Sequence, residues 1–139
     1  MDYYFAAFLP VKEGGYAIAF PDIPEATSQG VDLADCMVMA ADALAVCTEE
    51  YAKARKQLPP PSSLSDMETW AQAQRDDPDL MPDGKILLQL VKAPQVDMTP
   101  VKISISLPKA TLAAIDDKAR QAGLTRSGYL STAALAYTP

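Results

Sequence analysis

Histidine is absent from the 139 residues. With it go the Ser-His-Asp and Cys-His arrangements, imidazole acid–base chemistry and every metal site that needs an imidazole. Cysteine is scarce: Cys36 and Cys47 are the only two, too few for a zinc knuckle. On one helix they would stand about 16 Å apart along the axis, beyond the ~7 Å Cα separation a disulfide can span. Two small buried thiols in a reducing compartment is the reading that follows. No apolar run approaches the ~18 residues of a membrane span, and the N-terminus lacks a basic-then-apolar signal pattern. Both absences point to a cytoplasmic protein with no membrane partner. An excess of positive charge is missing too, since 12 Lys and Arg stand against 18 Asp and Glu, a net of −6.

Apolar residues make up 49% of the chain and charged residues 22%, the balance of a soluble globular protein of one ordinary domain or two small ones. The charge is uneven. Residues 1–96 hold 7 of the 12 basic and 15 of the 18 acidic groups, a net of −8, and residues 97–139 carry +2. An acidic front and a mildly basic tail suggest two modules with different partners, although an ordinary solvated surface would also give such a division. The stretch APQVDMTP, bracketed by Pro94 and Pro100, reads as a linker at the change of sign. The expected organisation is therefore a first domain over residues 1–92, a linker over 93–100 and a second domain over 101–139.

In the first domain YYFAAFL (3–9) reads as a strand ended by Pro10, and YAIAF (16–20) as a second. Gly14-Gly15 between them points to a hairpin. A short third strand over 26–29, ended by Gly30, precedes a helix from Asp32 to about Lys56. Its apolar stripe is read as Leu33, Met37, Ala40, Leu44, Cys47 and Tyr51. Ser65 and Glu68 have the spacing of a capping box opening a short helix that carries Trp70, as a packing contact or an exposed anchor. ILLQLV (86–91), a continuous apolar run, reads as a central strand. Strands plus one packed helix make an α+β layer.

The tail has the sharpest pattern. VKISISL (101–107) alternates strictly, with Val101, Ile103, Ile105 and Leu107 on one face and Lys102, Ser104 and Ser106 on the other. Pro108 closes the strand and starts a helix bearing Leu112, Ile115, Ala119 and Ala122. Gly123-Leu124 reads as its C-terminal cap, and Thr125 as the N-cap of a last helix. One strand with two bare edges and two short helices cannot bury enough apolar area alone. A second copy completes it: two strands pair as an antiparallel ribbon over four helices. The outward face then presents Lys102, Ser104 and Ser106 to base edges in a DNA major groove. Thr125, Arg126 and Ser127 at the last helix's N-terminus suit a phosphate.

Over residues 101–137 this pattern resembles the ribbon-helix-helix family of bacterial repressors. The resemblance implies that Lys102, Ser104 and Ser106 read bases and that Thr125, Arg126 and Ser127 clamp phosphate. Many relatives carry Arg or Asn on the ribbon, and two serines make fewer and less discriminating contacts. A helix-turn-helix around Gly123 and a dimerisation module without DNA binding are the competing readings.

In the first domain GGYAIAFPDIPEATSQG (14–30), followed by a capped helix, is similar to the HicB antitoxin family. That family has a Gly-Tyr strand, a Phe-Pro-Asp-apolar-Pro turn and a Gly-ended strand before a helix. Relatives usually have Gly-Cys where Glu25-Ala26 stand, and residues 59–83 lie outside the pattern. The resemblance implies a partial ribonuclease-H-like layer without catalysis, and a small basic ribonuclease toxin of the HicA type as partner. It also implies repression of the shared operon through operator DNA, and a homodimer through the C-terminal ribbon. Self-association of the front module would make that a tetramer. The −8 of residues 1–96 agrees with a basic partner. Candidate toxin contacts are Asp22, Glu25, Ser28 and Gln29.

No cofactor, metal site or catalytic residue is expected. A two-metal nuclease needs converging carboxylates. Asp2, Asp22, Asp32, Asp35 and Asp42 are available, but helix-start, turn and solvated roles suit them better, and no Asp-x-Asp or Glu-x-x-Asp cluster falls in a strand. The alternative function is a stand-alone ribbon-helix-helix regulator with a ligand-sensing or oligomerising front domain.

Overall fold

Short aromatic and apolar runs build three strands of the sheet, and the polar run Thr27–Gly30 builds the fourth. The computed structural model describes residues 2–139, and the chain divides into two compact units after Thr99. In the first, β1 (Tyr3–Pro10) turns through Gly14-Gly15 into β2 (Tyr16–Ala19), and β3 (Thr27–Gly30) follows. Then come α1 (Leu33–Lys53), α2 (Leu64–Ala73), a 3-10 turn over Gln74–Asp76 and β4 (Leu87–Lys92). The four strands form one antiparallel sheet in the order β3-β2-β1-β4. Ala7 pairs with Ala19 on one side and with Leu88 on the other. The second unit holds α3 (Lys109–Gln121) and α4 (Arg126–Ala136). Mixed α+β architecture with a small antiparallel sheet is thus the fold class.

The strand β4 lies at the sheet edge rather than at its centre, which β1 and β2 occupy. Its apolar residues have another cause: both faces of the sheet carry packing, which half-buries Ile86 and Leu88 and buries Val91, although Leu87 and Leu90 stay 40 and 49% exposed. Tyr4, Phe8, Ile18, Phe20 and Ile23 pack with Cys36, Ala40 and Leu44 of α1. On the opposite face Ala7, Leu9 and Leu80 pack with Trp70, Ile86 and Leu88. Trp70 is therefore a half-buried packing contact of the 59–83 segment.

Three local expectations shift. The α1 stripe is rotated at its N-terminal end: Cys36 is buried, whereas Leu33 and Met37 are 45% exposed. The reason is Gly30, whose missing side chain lets the end of β3 lie directly against Cys36. At α2 the cap is Ser63, not Ser65: its Oγ accepts the Asp66 N–H at 3.2 Å, and Ser63 is the last extended residue after the prolines. Ser65 lies inside the helix, where its carbonyl accepts the Thr69 hydroxyl at 3.1 Å. α1 stops at Lys53 because Arg55 takes φ 55°, and the Lys56 N–H turns back to the Tyr51 carbonyl at 2.9 Å. Asp32 caps α1 as read, accepting the Asp35 N–H at 2.8 Å.

In the second unit Gly123, at φ 68°, ends α3. The Gly123 N–H bonds the Arg120 carbonyl at 3.1 Å and the Leu124 N–H bonds that of Ala119 at 2.8 Å, the paired bonds of a Schellman cap. Residues 101–107, read as a strand, form none in the single chain. A strand needs a ladder partner, and this unit has no other strand among the described residues. Val101, Ile103, Ile105 and Leu107 are left 81, 80, 61 and 38% exposed.

Candidate partner-binding and nucleic-acid surfaces

In the second unit Lys102, Ser104 and Ser106 are exposed and alternate with the bare apolar row. Thr125 caps α4, its Oγ1 accepting the Gly128 N–H at 3.1 Å, and Ser127 is exposed beside it. Arg126 is not free. Its Nε and Nη2 donate to the two carboxylate oxygens of Asp116 at 2.8 and 2.9 Å. That fork holds the Asp116 carboxyl below the usual carboxylate range, chiefly through its hydrogen bonds, which outweigh an opposing desolvation, with the Arg126 charge adding less. The same carboxylate raises the guanidinium above its ordinary value. Asp116 was missed in the sequence. Its only signal is an acid ten positions before the arginine, across a turn whose geometry the Gly123 cap sets.

In the first unit the four candidate contact residues divide. Asp22 accepts the Ser62 N–H at 2.8 Å and also the Ser62 hydroxyl, tying the proline tract to the turn after β2. Glu25 accepts the Tyr51 hydroxyl at 3.2 Å, fastening the same turn to α1. Burial first, then this bond and the Glu25 charge, raise the Tyr51 phenol. Ser28 and Gln29 instead line an open cleft of about 810 Å³ with Gly15, Tyr16, Asp35 and Asp79. Asp22 and Glu25 thus hold the fold together, while Ser28 and Gln29 border a concave surface.

Burial, aided by Asp35 and Asp32, pushes the Cys36 thiol up, and burial with Glu25 and Glu50 does the same for Cys47. Both are free thiols and poor nucleophiles. Asp32 and Asp35 serve the start of α1, where the Asp35 carboxylate accepts the Val31 N–H at 2.9 Å. Among the described residues no three acidic or cysteine side chains gather as a metal-binding group. No helix among them is long and apolar enough to cross a membrane.

The fold and these surfaces define a small two-unit α+β protein whose candidate sites are exposed faces. Residues 4–134 match the family model described as HicB_like antitoxin of bacterial toxin-antitoxin system. The chain belongs to that family. It is 46% identical over 55 residues to Antitoxin HicB 1 of Photorhabdus laumondii, a match covering 40% of this chain and 36% of that protein. To Antitoxin HicB of Escherichia coli K12 it is 43% identical over 56 residues, covering 40% and 41%. The matches thus span well under half the length of these relatives. The crystal structure of the Burkholderia pseudomallei antitoxin HicB is 25% identical, with a TM-score of 0.66 over 97% of this chain and 95% of that one. A toxin–antitoxin complex from Streptococcus pneumoniae shares the fold, with a TM-score of 0.59 at 22% identity over 96% of this chain and 97% of that one.

Proposed function

We propose that the chain is an antitoxin that binds and neutralises a small basic, RNA-cleaving toxin of the HicA type and represses its own operon. Residues 1–92 occlude the toxin, and residues 101–137 pair with a second copy as a ribbon-helix-helix that holds operator DNA. The observation that carries this reading is a family match running through both units, residues 4–134, in a chain whose halves carry opposite net charge. An acidic front speeds encounter with a cationic RNA-binding protein. A second copy would cover the row Val101, Ile103, Ile105 and Leu107, and Lys102, Ser104 and Ser106 would face a major groove. Thr125, Arg126 and Ser127 would hold backbone phosphate, Arg126 after exchanging Asp116 for it. The protein does no chemistry in this scheme, and both partners place it in the cytoplasm.

The test is co-expression with the toxin encoded in the same operon. Growth should be restored, and the two proteins should co-purify stoichiometrically. The complex should retard a fragment of its own promoter, with affinity falling steeply as salt rises. Toxicity unrelieved by the full chain would refute the antitoxin role. Unretarded promoter DNA would refute the repressor role.

A further inference from the structure

α1 is apolar on two sides, and the sheet uses only one. The inner side buries Cys36, Ala40 and Leu44. The outer side presents Ala34, Val38, Ala41 and Ala45 at steps of four, three and four residues, the spacing of a helix-packing seam. Leu33 and Met37 widen it towards the core, so the surface covers about 140° of the helix circumference at 3.6 residues per turn. Its first part is bare among the described residues: Ala34, Val38 and Ala41 are exposed, Val38 by 60%, and Ala45 is half-buried. Its far border is acidic. Asp35, Asp42 and Glu49 recur every seven residues, which keeps them on one line beside the seam. Lys53 engages Glu49 at 3.1 Å and the Asp35 carboxylate accepts the Val31 N–H at 2.9 Å, which leaves Asp42 as the acid of this line with no ion-pair or hydrogen-bond partner among the described residues.

Resting on the antitoxin reading, we infer that this outer seam of α1 is the docking surface for a cationic amphipathic helix of the toxin. The small side chains Ala34, Ala41 and Ala45 let a partner helix approach closely and receive larger apolar side chains. The acidic line then requires Lys or Arg at the partner's flanking positions. A second copy of this chain fits worse. Antiparallel two-fold pairing of two such faces puts both acidic lines on the same side, in a domain whose residues 1–96 already carry −8. The surface is also separate from Asp22 and Glu25, whose carboxylates are occupied within the fold.

The experiment uses the full chain and the toxin from its operon, purified as a complex and reconstituted. In V38E/A41E two carboxylates enter a surface that should be dry in the complex, and toxin binding should weaken by about 100-fold. Both positions are exposed, so the thermal midpoint should stay unchanged. Asp42→Lys should slow association about tenfold and flatten its salt dependence. Hydrogen exchange of the unsubstituted chain gives an independent readout, with peptides across residues 34–49 gaining protection in the complex. Wild-type binding in the variants, or no gain of protection there, overturns the inference and leaves the antitoxin reading standing. Failure of the unsubstituted chain to bind the toxin overturns both. A drop in the oligomeric state of V38E/A41E without toxin would assign the seam to a second copy and overturn it too.

Discussion

A methyl group at Gly30 tests the junction of sheet and helix most sharply. A Cβ built there would lie 2.5 Å from Cys36 Sγ, 2.9 Å from Cys36 N and 3.0 Å from Cys36 Cα. Two of these neighbours are backbone, so no rotamer change relieves them and the first turn of α1 must move away. Cys36 is fully buried in the main core, and the same displacement would loosen its packing. Overpacking costs roughly 1–3 kcal/mol, and a backbone clash belongs at the upper end, about 3 kcal/mol for Gly30→Ala. In a unit of this size that lowers the thermal midpoint by about 10–20 °C. Urea unfolding followed by Trp70 fluorescence reads it, because the single tryptophan packs within the same unit. Cys36→Ala alone should cost about 1 kcal/mol through lost packing. It removes only the sulfur contact, so G30A/C36A should fall short of the additive loss by roughly 1 kcal/mol. A Gly30→Ala loss below about 0.5 kcal/mol, or strict additivity, would refute the claim that Gly30 sets how β3 meets α1.

Other expectations concern the second unit and the thiols. Gly123→Ala meets no atom within 4 Å, so its cost is conformational, from φ 68° alone, and should be about 1–2 kcal/mol by denaturant unfolding. Asp116→Asn should leave the thermal midpoint at pH 7 almost unchanged, because the pair is solvent-exposed, yet release Arg126 and steepen the salt dependence of operator binding. The Asp116 carboxyl is depressed in the folded chain, so any stability from the pair is present above the ordinary carboxylate range. It disappears as pH falls through the depressed value, which acid titration by carboxyl NMR would follow. Cys36 and Cys47 should react slowly with a disulfide reagent at pH 7 and fast in denaturant, since burial and nearby carboxylates disfavour both thiolates. Rapid labelling of the folded chain would contradict their placement.

Elements whose partners lie nearby in the chain were legible. The paired glycines before Tyr16 signalled a hairpin, Asp32 signalled the start of α1, and Gly123-Leu124 signalled the end of α3. Each is decided by a few residues acting on their own backbone. Two misreadings came from contacts formed at a distance. Segment 59–83 packs on the second face of the sheet, where it meets Ile86 and Leu88, so apolar residues on both faces of this stretch come from cover on two sides and not from a central position. Ser63 rather than Ser65 caps α2 because the proline tract leaves Ser63 extended, next to Ser62, which is tied to Asp22 forty positions earlier. The site followed the same division: Thr125 could be placed by its cap spacing, whereas the pairing of Arg126 with Asp116 depends on how α3 and α4 pack.

The stripe on α1 was ambiguous for a reason that bears on function. Leu33, Met37, Ala40 and Leu44 satisfy a helical period, but so do Ala34, Val38, Ala41 and Ala45, and periodicity alone ranks neither. Gly30 breaks the tie by admitting Cys36, which rolls Leu33 and Met37 towards solvent and joins them to the second series. A helix apolar over more than half its circumference belongs between two layers. In this unit the sheet supplies one layer, and α2 packs on the opposite face of that sheet, where it cannot supply the other. The overlap of two periods in the sequence and the bare outer seam in the fold are therefore one property. It has a physical cost, exposed apolar surface on an otherwise strongly acidic unit, that a bound cationic helix would remove.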